Sequence, residues 1–288
     1  MNSVNIKVKH LKKTREPFAY RGSMKLLILI PILILATFLV RAENILIDSI
    51  PKLIKPFESF NLGNKIYNAS SLSTISGKIR SNNNSLTVIK VLHIGDSHVK
   101  SGFFAEPIID KLNSYYVSTL KRNVFFNGEV FSKIGTKYSD YSDLSELDNQ
   151  LIKDKPDLVI ISLGINDAFS GSANSRFYEK INHLVFKIKT LSPNSTLLLT
   201  TPADGLRKNA KTGVYQVLPE VQYIVSIIIK YATDHHLAYW DLHSQMGGNY
   251  SMNRWVEKKL AAPDRIHFTA KGYRLIAQML FEALKNYL

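Results

Sequence analysis

The sequence predicts a three-layer α/β/α sandwich with a mainly parallel sheet over residues 86–288, preceded by one N-terminal membrane helix. Three observations carry this prediction. Short, largely apolar runs, the first of them rich in β-branched residues, recur after residue 86, as strands buried on both faces do. Amphipathic stretches of helical length lie between them, and such alternation argues for a parallel sheet covered on both sides. Far upstream, a charge-free run from Leu26 to Val40 follows a basic tract.

Lys7, Lys9, Lys12, Lys13, Arg15, Arg21 and Lys25 precede that run, which is apolar except for Pro31 and Thr37. Fifteen helical residues span roughly 22 Å against about 30 Å of hydrocarbon, short for a relaxed spanning helix and long for a cleaved signal core. No small-x-small cleavage site follows, which favours an uncleaved signal anchor. The positive-inside rule places the basic end in the cytosol and the rest outside a bacterial inner membrane. The expected organisation is a basic cytoplasmic tail (1–25), a signal anchor (26–41), a stalk or linker (42–85) and a folded domain (86–288). The stalk ends in the polar stretch Ser81–Ser85.

Within the domain, Leu86–Ile94, Leu158–Ser162, Thr196–Thr200 and Leu237–Trp240 read as strands. Helical stretches lie at about Phe104–Leu120, Leu144–Lys153, Ser175–Leu191 and Leu218–Ala232. A final helix runs from about Ala270 to Leu288, with Leu275, Ile276, Met279, Leu280 and Leu284 on one stripe. Open α/β sheets bind ligands beyond the carboxyl ends of their strands. Those ends are rich in polar residues: Gly95-Asp96-Ser97-His98, Gly164-Ile165-Asn166-Asp167, Thr200-Thr201-Pro202 and Asp241, with Asp264–Thr269 just ahead of the last helix.

Composition narrows the chemistry. The chain has no cysteine, which removes disulfides, Cys-ligated metal and thiol nucleophiles. The net charge is +14, but residues 1–41 hold eight Lys/Arg against one acid, so half of the excess sits in the tail. Basicity is therefore a poor argument for nucleic acid.

Acyl transfer through a serine fits the rim. A hydroxyl becomes nucleophilic when an imidazole takes its proton, and a carboxylate must orient that imidazole. Ser97 stands on a strand-to-helix turn, His267 is the candidate base, and Asp264 lies three residues before it. The candidate oxyanion donors are the backbone N–H groups of Ser97 and Gly135 and the side-chain amide of Asn166.

The blocks Gly95-Asp96-Ser97-His98, Ile134-Gly135-Thr136, Gly164-Ile165-Asn166-Asp167 and Asp264-Arg265-Ile266-His267 resemble the SGNH/GDSL hydrolase superfamily. That superfamily contributes Ser, Gly, Asn and His in this order on a flavodoxin-like sandwich. Gly128 competes with Gly135 for the second block. His98 in place of the leucine of GDSL, together with Trp240-Asp241-Leu242, Met246-Gly247-Gly248, Trp255, Phe268-Thr269 and Gly272-Tyr273, resembles bacterial peptidoglycan O-acetyltransferases and O-acetylesterases. The resemblance implies an acetylated glycan as substrate, no cofactor and no metal. His98, Trp255 and Tyr250 are the candidate substrate-binding residues. A transferase would also need a multi-span membrane protein to deliver acetyl groups.

Two other readings compete. Asp96-x-His98 and Asp264-x-x-His267 superficially offer metal ligands for a phosphoesterase, although two-metal sites need more convergent ligands. The fold could also survive in a wall-binding scaffold without turnover. Asp241 reads as a strand-end hydrogen-bonding residue ahead of any second triad role, and His93 as a core residue.

Overall fold

The computed structural model describes residues 63–81 and 85–288. The tail and the anchor at Leu26–Val40 lie outside these residues. Among the described residues no helix is long and apolar enough to cross a membrane.

Five parallel strands form the sheet: β1 (Thr87–Gly95), β2 (Val124–Ser132), β3 (Leu158–Ser162), β4 (Thr196–Thr200) and a last strand, Ala238–Trp240. Their order is β2-β1-β3-β4 followed by the last strand. Two three-residue strands, β5 (Leu206–Lys208) and β6 (Tyr215–Val217), make a separate antiparallel hairpin, so Ala238–Trp240 is β7. Register aligns the five carboxyl ends: Gly95 pairs with Ser132 and with Ser162, Ser162 with Thr200, and Thr200 with Trp240. One level rim results.

Side chains alternate across the sheet and build two cores. Leu92 and Ile94, Val159 and Ile161, and Leu197 and Leu199 face the first core. It is closed by α4 (Tyr138–Ser142), α5 (Ser145–Asp154), α6 (Ile165–Phe169), α7 (Phe177–Leu191) and α8 (Pro219–Asp234). On the opposite face, Val91 and His93 line a cavity with α3 (Ala105–Asn113), against which the C-terminal α11 (Ala270–Leu284) packs. Thr269 starts α11 by accepting a bond from the Gly272 N–H at 3.2 Å. The three expected layers are present.

The expected stalk needs correction. Residues 63–81 belong to the folded unit, because α1 (Ser73–Arg80) and the segment before it bury Ile66, Leu72, Ile75 and Ile79. Tyr67 exchanges backbone hydrogen bonds with Tyr239 at 2.9 and 3.1 Å, covering the β7 edge. The Trp240 indole donates to Asn64 Oδ1 at 2.9 Å.

Asp167, at the start of α6, supplies a stability prediction. It is fully buried, its Oδ2 accepts from the Tyr138 N–H at 3.2 Å, and its Oδ1 has no partner. Burial pushes its carboxyl up from 3.8 to about 6. The native state then binds a proton that the unfolded chain releases first, so this group's contribution falls as pH rises from about 4 to 6. Asp167→Asn removes that loss and keeps an acceptor for Tyr138. Melts at pH 4.5 and 8 should show the variant gaining on the wild type by roughly 2 kcal/mol at the higher pH. An equal difference at both values would refute it.

Candidate active site

β1 delivers Ser97 to the rim through a tight turn. A Cβ on Gly95 would lie 2.1 Å from Val99 Cγ2 and 3.1 Å from the Ser162 carbonyl, so only glycine lets α2 (Ser97–Lys100) fold back onto the strand end. Asp96 caps that helix by accepting from the His98 N–H at 2.9 Å. Ser97 Oγ then lies 3.0 Å from His267 Nε2. On the other side of the ring, His267 Nδ1 lies 2.7 Å from Asp264 Oδ2. With Nδ1–H donating to the carboxylate, Nε2 is left as the acceptor that faces the hydroxyl.

Asp264 is held as an anion. Burial alone would push its carboxyl up, but bonds from the His267 ring and from the backbone N–H groups of Ile266 and His267 outweigh burial and hold it below the usual carboxylate range. Both backbone bonds end on Oδ1, leaving Oδ2 for the imidazole. A three-residue spacing suffices because Asp264 closes a small turn onto its own histidine.

The loop carrying this pair is anchored from several sides. The Ala262 N–H donates to the His267 carbonyl at 2.8 Å, and the Thr269 N–H to the Leu260 carbonyl at 2.9 Å. The Leu206 N–H of β5 donates to the Arg265 carbonyl at 3.0 Å. Phe268, next to the histidine, packs edge-on against Trp255 of α10 (Ser251–Glu257; α9 is Leu242–Gln245).

Asn166, on the first turn of α6, faces two acceptors. Its Nδ2 donates to Asp96 Oδ2 at 3.0 Å and to the Thr136 carbonyl at 3.2 Å. Only the amide nitrogen can satisfy both partners, which settles the orientation. Asn166 thus ties the turn preceding Ser97 to the Gly135-Thr136 loop. Tyr141 braces the same loop: its hydroxyl donates to the Gly95 carbonyl and accepts from the Lys133 N–H at 3.0 Å. Gly135 has φ +76 in open surroundings after the end of β2. Gly128 is placed elsewhere. It pairs with Val91, four residues before the rim, and its missing Cβ makes room for the Ile109 side chain.

The remaining candidates separate. Trp255 is 1 % exposed and its indole donates to the Met246 carbonyl at 3.0 Å, so the expectation of a sugar platform there is corrected: the ring is core packing behind Phe268. His98 is also buried; its ring lies edge-on to His267, Phe268 and Tyr273, with centroids 5.2 to 5.9 Å apart. Burial pulls its pKa down, against the pull of Asp96, which favours the neutral ring. Tyr250 is 57 % exposed. Asp241 accepts from Thr201 Oγ1 and the Ser244 N–H, capping α9. His93 is buried beside Ser162 Oγ at 2.8 Å, and burial lowers its pKa to about 3. The Asp96 and Asp264 carboxylates are each occupied by N–H donors, and among the described residues no three potential ligands gather as a metal site requires.

Two supports escaped sequence reasoning. Tyr141 and the β5–β6 hairpin carry no motif; the only signals were an aromatic in a polar segment and a polar turn around Gly213.

Fold and rim together place the chain among ester hydrolases and acyltransferases of the SGNH/GDSL type. Over residues 93–275 its sequence matches the GDSL-like lipase/acylhydrolase family, and the chain belongs to that family. No curated protein sequence matches it. Among solved structures, a peptidoglycan O-acetylesterase aligns with TM-score 0.62 and 17% identity, over 76% of this chain and 95% of that one. The acetyl xylan esterase AlAXEase aligns with TM-score 0.51 and 22% identity, over 68% of this chain and 100% of that one. A two-domain esterase active on acetylated mannans aligns with TM-score 0.55 and 17% identity, over 78% of this chain and 56% of that one. At these identities the likeness is one of fold.

Proposed function

We propose that the protein is an extracytoplasmic serine acyl-transfer enzyme that moves acetyl groups on peptidoglycan or another cell-envelope glycan. The line Asp264–His267–Ser97, with contacts of 2.7 and 3.0 Å, carries the reading. Ser97 Oγ attacks the ester carbonyl as His267 Nε2 takes its proton, and Asp264 stabilises the imidazolium. The protonated His267 then returns the proton to the leaving sugar oxygen, giving an acetyl-Ser97 intermediate. Water resolves it in an esterase, and a sugar hydroxyl does so in a transferase.

The tetrahedral oxyanion is received by the N–H groups of Ser97 and Gly135 and by Asn166 Nδ2. Asn166 reaches it by lending the proton of its longer bond, to Thr136, while Asp96 keeps the other and holds the amide in place. Asn166→Ala is expected to lower kcat by about 10²–10³ with little change in KM. A variant that loses KM alone would make Asn166 a binding residue.

Location and substrate rest on other observations. Seven basic residues ahead of the apolar run Leu26–Val40 favour a signal anchor with the domain outside the inner membrane. Acetylated glycans are named as substrates for the structural neighbours. Tyr250, one of several exposed aromatics among the described residues, is our candidate to stack on a sugar ring. As a transferase, the protein would draw acetyl groups from a multi-span membrane partner. The test incubates the full chain, in detergent, with O-acetylated peptidoglycan and unacetylated acceptor, and compares acetyl gained by the acceptor with acetate released. Either product supports the reading. Tight binding to the polymer with no acyl turnover on any ester would leave the scaffold reading instead.

A further inference from the structure

We infer that Arg265 and Lys208 form an anion-reading site beside the His267 loop, so that the preferred substrate is an O-acylated glycan bearing negative charge near the acylated position. The inference rests on the acyl-transfer reading above and names its substrate class. Arg265 stands between Asp264 and His267, and two residues of chain span at most about 7 Å. Its side chain therefore starts within a sugar unit or two of the reacting ester. Its backbone is pinned in a left-handed conformation, φ +59, which long side chains rarely adopt. The Arg265 N–H donates to the Ala262 carbonyl at 3.1 Å and the Arg265 carbonyl accepts from Leu206.

That conformation lays the guanidinium over the Tyr215 ring, 4.0 Å from the centroid. Tyr215 is itself tethered to the loop, its hydroxyl donating to the Pro263 carbonyl at 3.3 Å. Lys208 stands directly opposite Tyr215 in the β5–β6 pair, so the two side chains share one face of the hairpin. Among the described residues, neither Arg265 nor Lys208 has a carboxylate within ion-pair distance. The nearest acid in sequence, Asp264, is committed to His267 and to backbone N–H groups.

A cation stacked on an aromatic ring keeps its edge donors in a fixed fork, suited to two oxygens of a carboxylate or phosphate. Holding it there in advance removes part of the ordering cost of binding.

The experiment measures kcat/KM of the full chain on acetylated xylan (neutral), acetylated polygalacturonate (carboxylate) and acetylated phosphomannan (phosphodiester), at low and high salt. The wild type should favour an acidic polymer, with a preference that shrinks as salt rises; the better of the two identifies the anion. Arg265→Gln should cut the acidic-to-neutral ratio about tenfold, Lys208→Gln about threefold, and Arg265→Lys should retain part of the preference. The ratio is the readout because a misaligned His267 lowers all three rates alike. A wild type with no charge preference, or variants that leave the ratio unchanged, would overturn the inference. Persistence of turnover in Ser97→Ala would instead overturn the acyl-transfer reading.

Discussion

Replacing Ser97 with alanine is expected to lower acetate release from p-nitrophenyl acetate by roughly 10⁵–10⁶-fold in kcat. The variant should keep the circular dichroism spectrum and melting temperature of the parent. The size follows from position: Oγ is the atom 3.0 Å from the base, and its loss removes the covalent path entirely. What remains is the small acceleration that oxyanion donors and binding give to direct attack by water. The fold should be indifferent, because the α2 cap comes from Asp96 and the close approach from Gly95, neither of which needs the hydroxyl. Stopped-flow assays should also lose any burst of product, since no acyl-enzyme can form. Retention of most of the rate would remove Ser97 from the mechanism.

Asp264→Asn is expected to cost about 10³–10⁴ in kcat, less than loss of the nucleophile or the base itself. The asparagine oxygen can go on accepting the N–H groups of Ile266 and His267, so the turn persists. Its amide nitrogen must then face the ring where Oδ2 stood, 2.7 Å from Nδ1. An N–H there forces Nδ1 to be the acceptor and moves the ring proton to Nε2, the nitrogen needed to take the serine proton. Catalysis thus fails by tautomer with the geometry intact. Asp264→Ala should behave differently, losing the two backbone bonds as well and lowering the melting temperature. Equal stability losses in both variants, with similar activities, would show that the carboxylate only supports the turn.

The parts legible in the sequence were those whose pattern is dense. β1, β3 and β4 are largely apolar runs, and the α11 stripe from Leu275 to Leu284 repeats often enough to read. β2 was missed because Asn127-Gly128-Glu129 breaks its run and its edge position leaves Phe125 and Val130 partly exposed. The β5–β6 hairpin has only three residues per strand, too few for any period to show. Leu72, Ile75 and Ile79 carry helical spacing, yet the polar stretch that follows them made the segment read as stalk. At the rim, motif order pointed to Ser97, His267 and Asp264, which the fold brings together. It did not separate Gly135 from Gly128, because a packing glycine and a loop glycine look alike until register is known. Trp255 was left between core packing and sugar platform for a similar reason: an indole suits either, and only burial decides.

The imidazole and its carboxylate ride on a single turn, while the hydroxyl rides on the separate turn that follows β1. Any drift of that turn carries both partners together and leaves their mutual alignment untouched. Mild heating that loosens the turn's anchors should therefore lower turnover before the imidazole and its carboxylate part. A downfield imidazole proton resonance would outlive turnover in such samples, and cooling would restore both halves to working order.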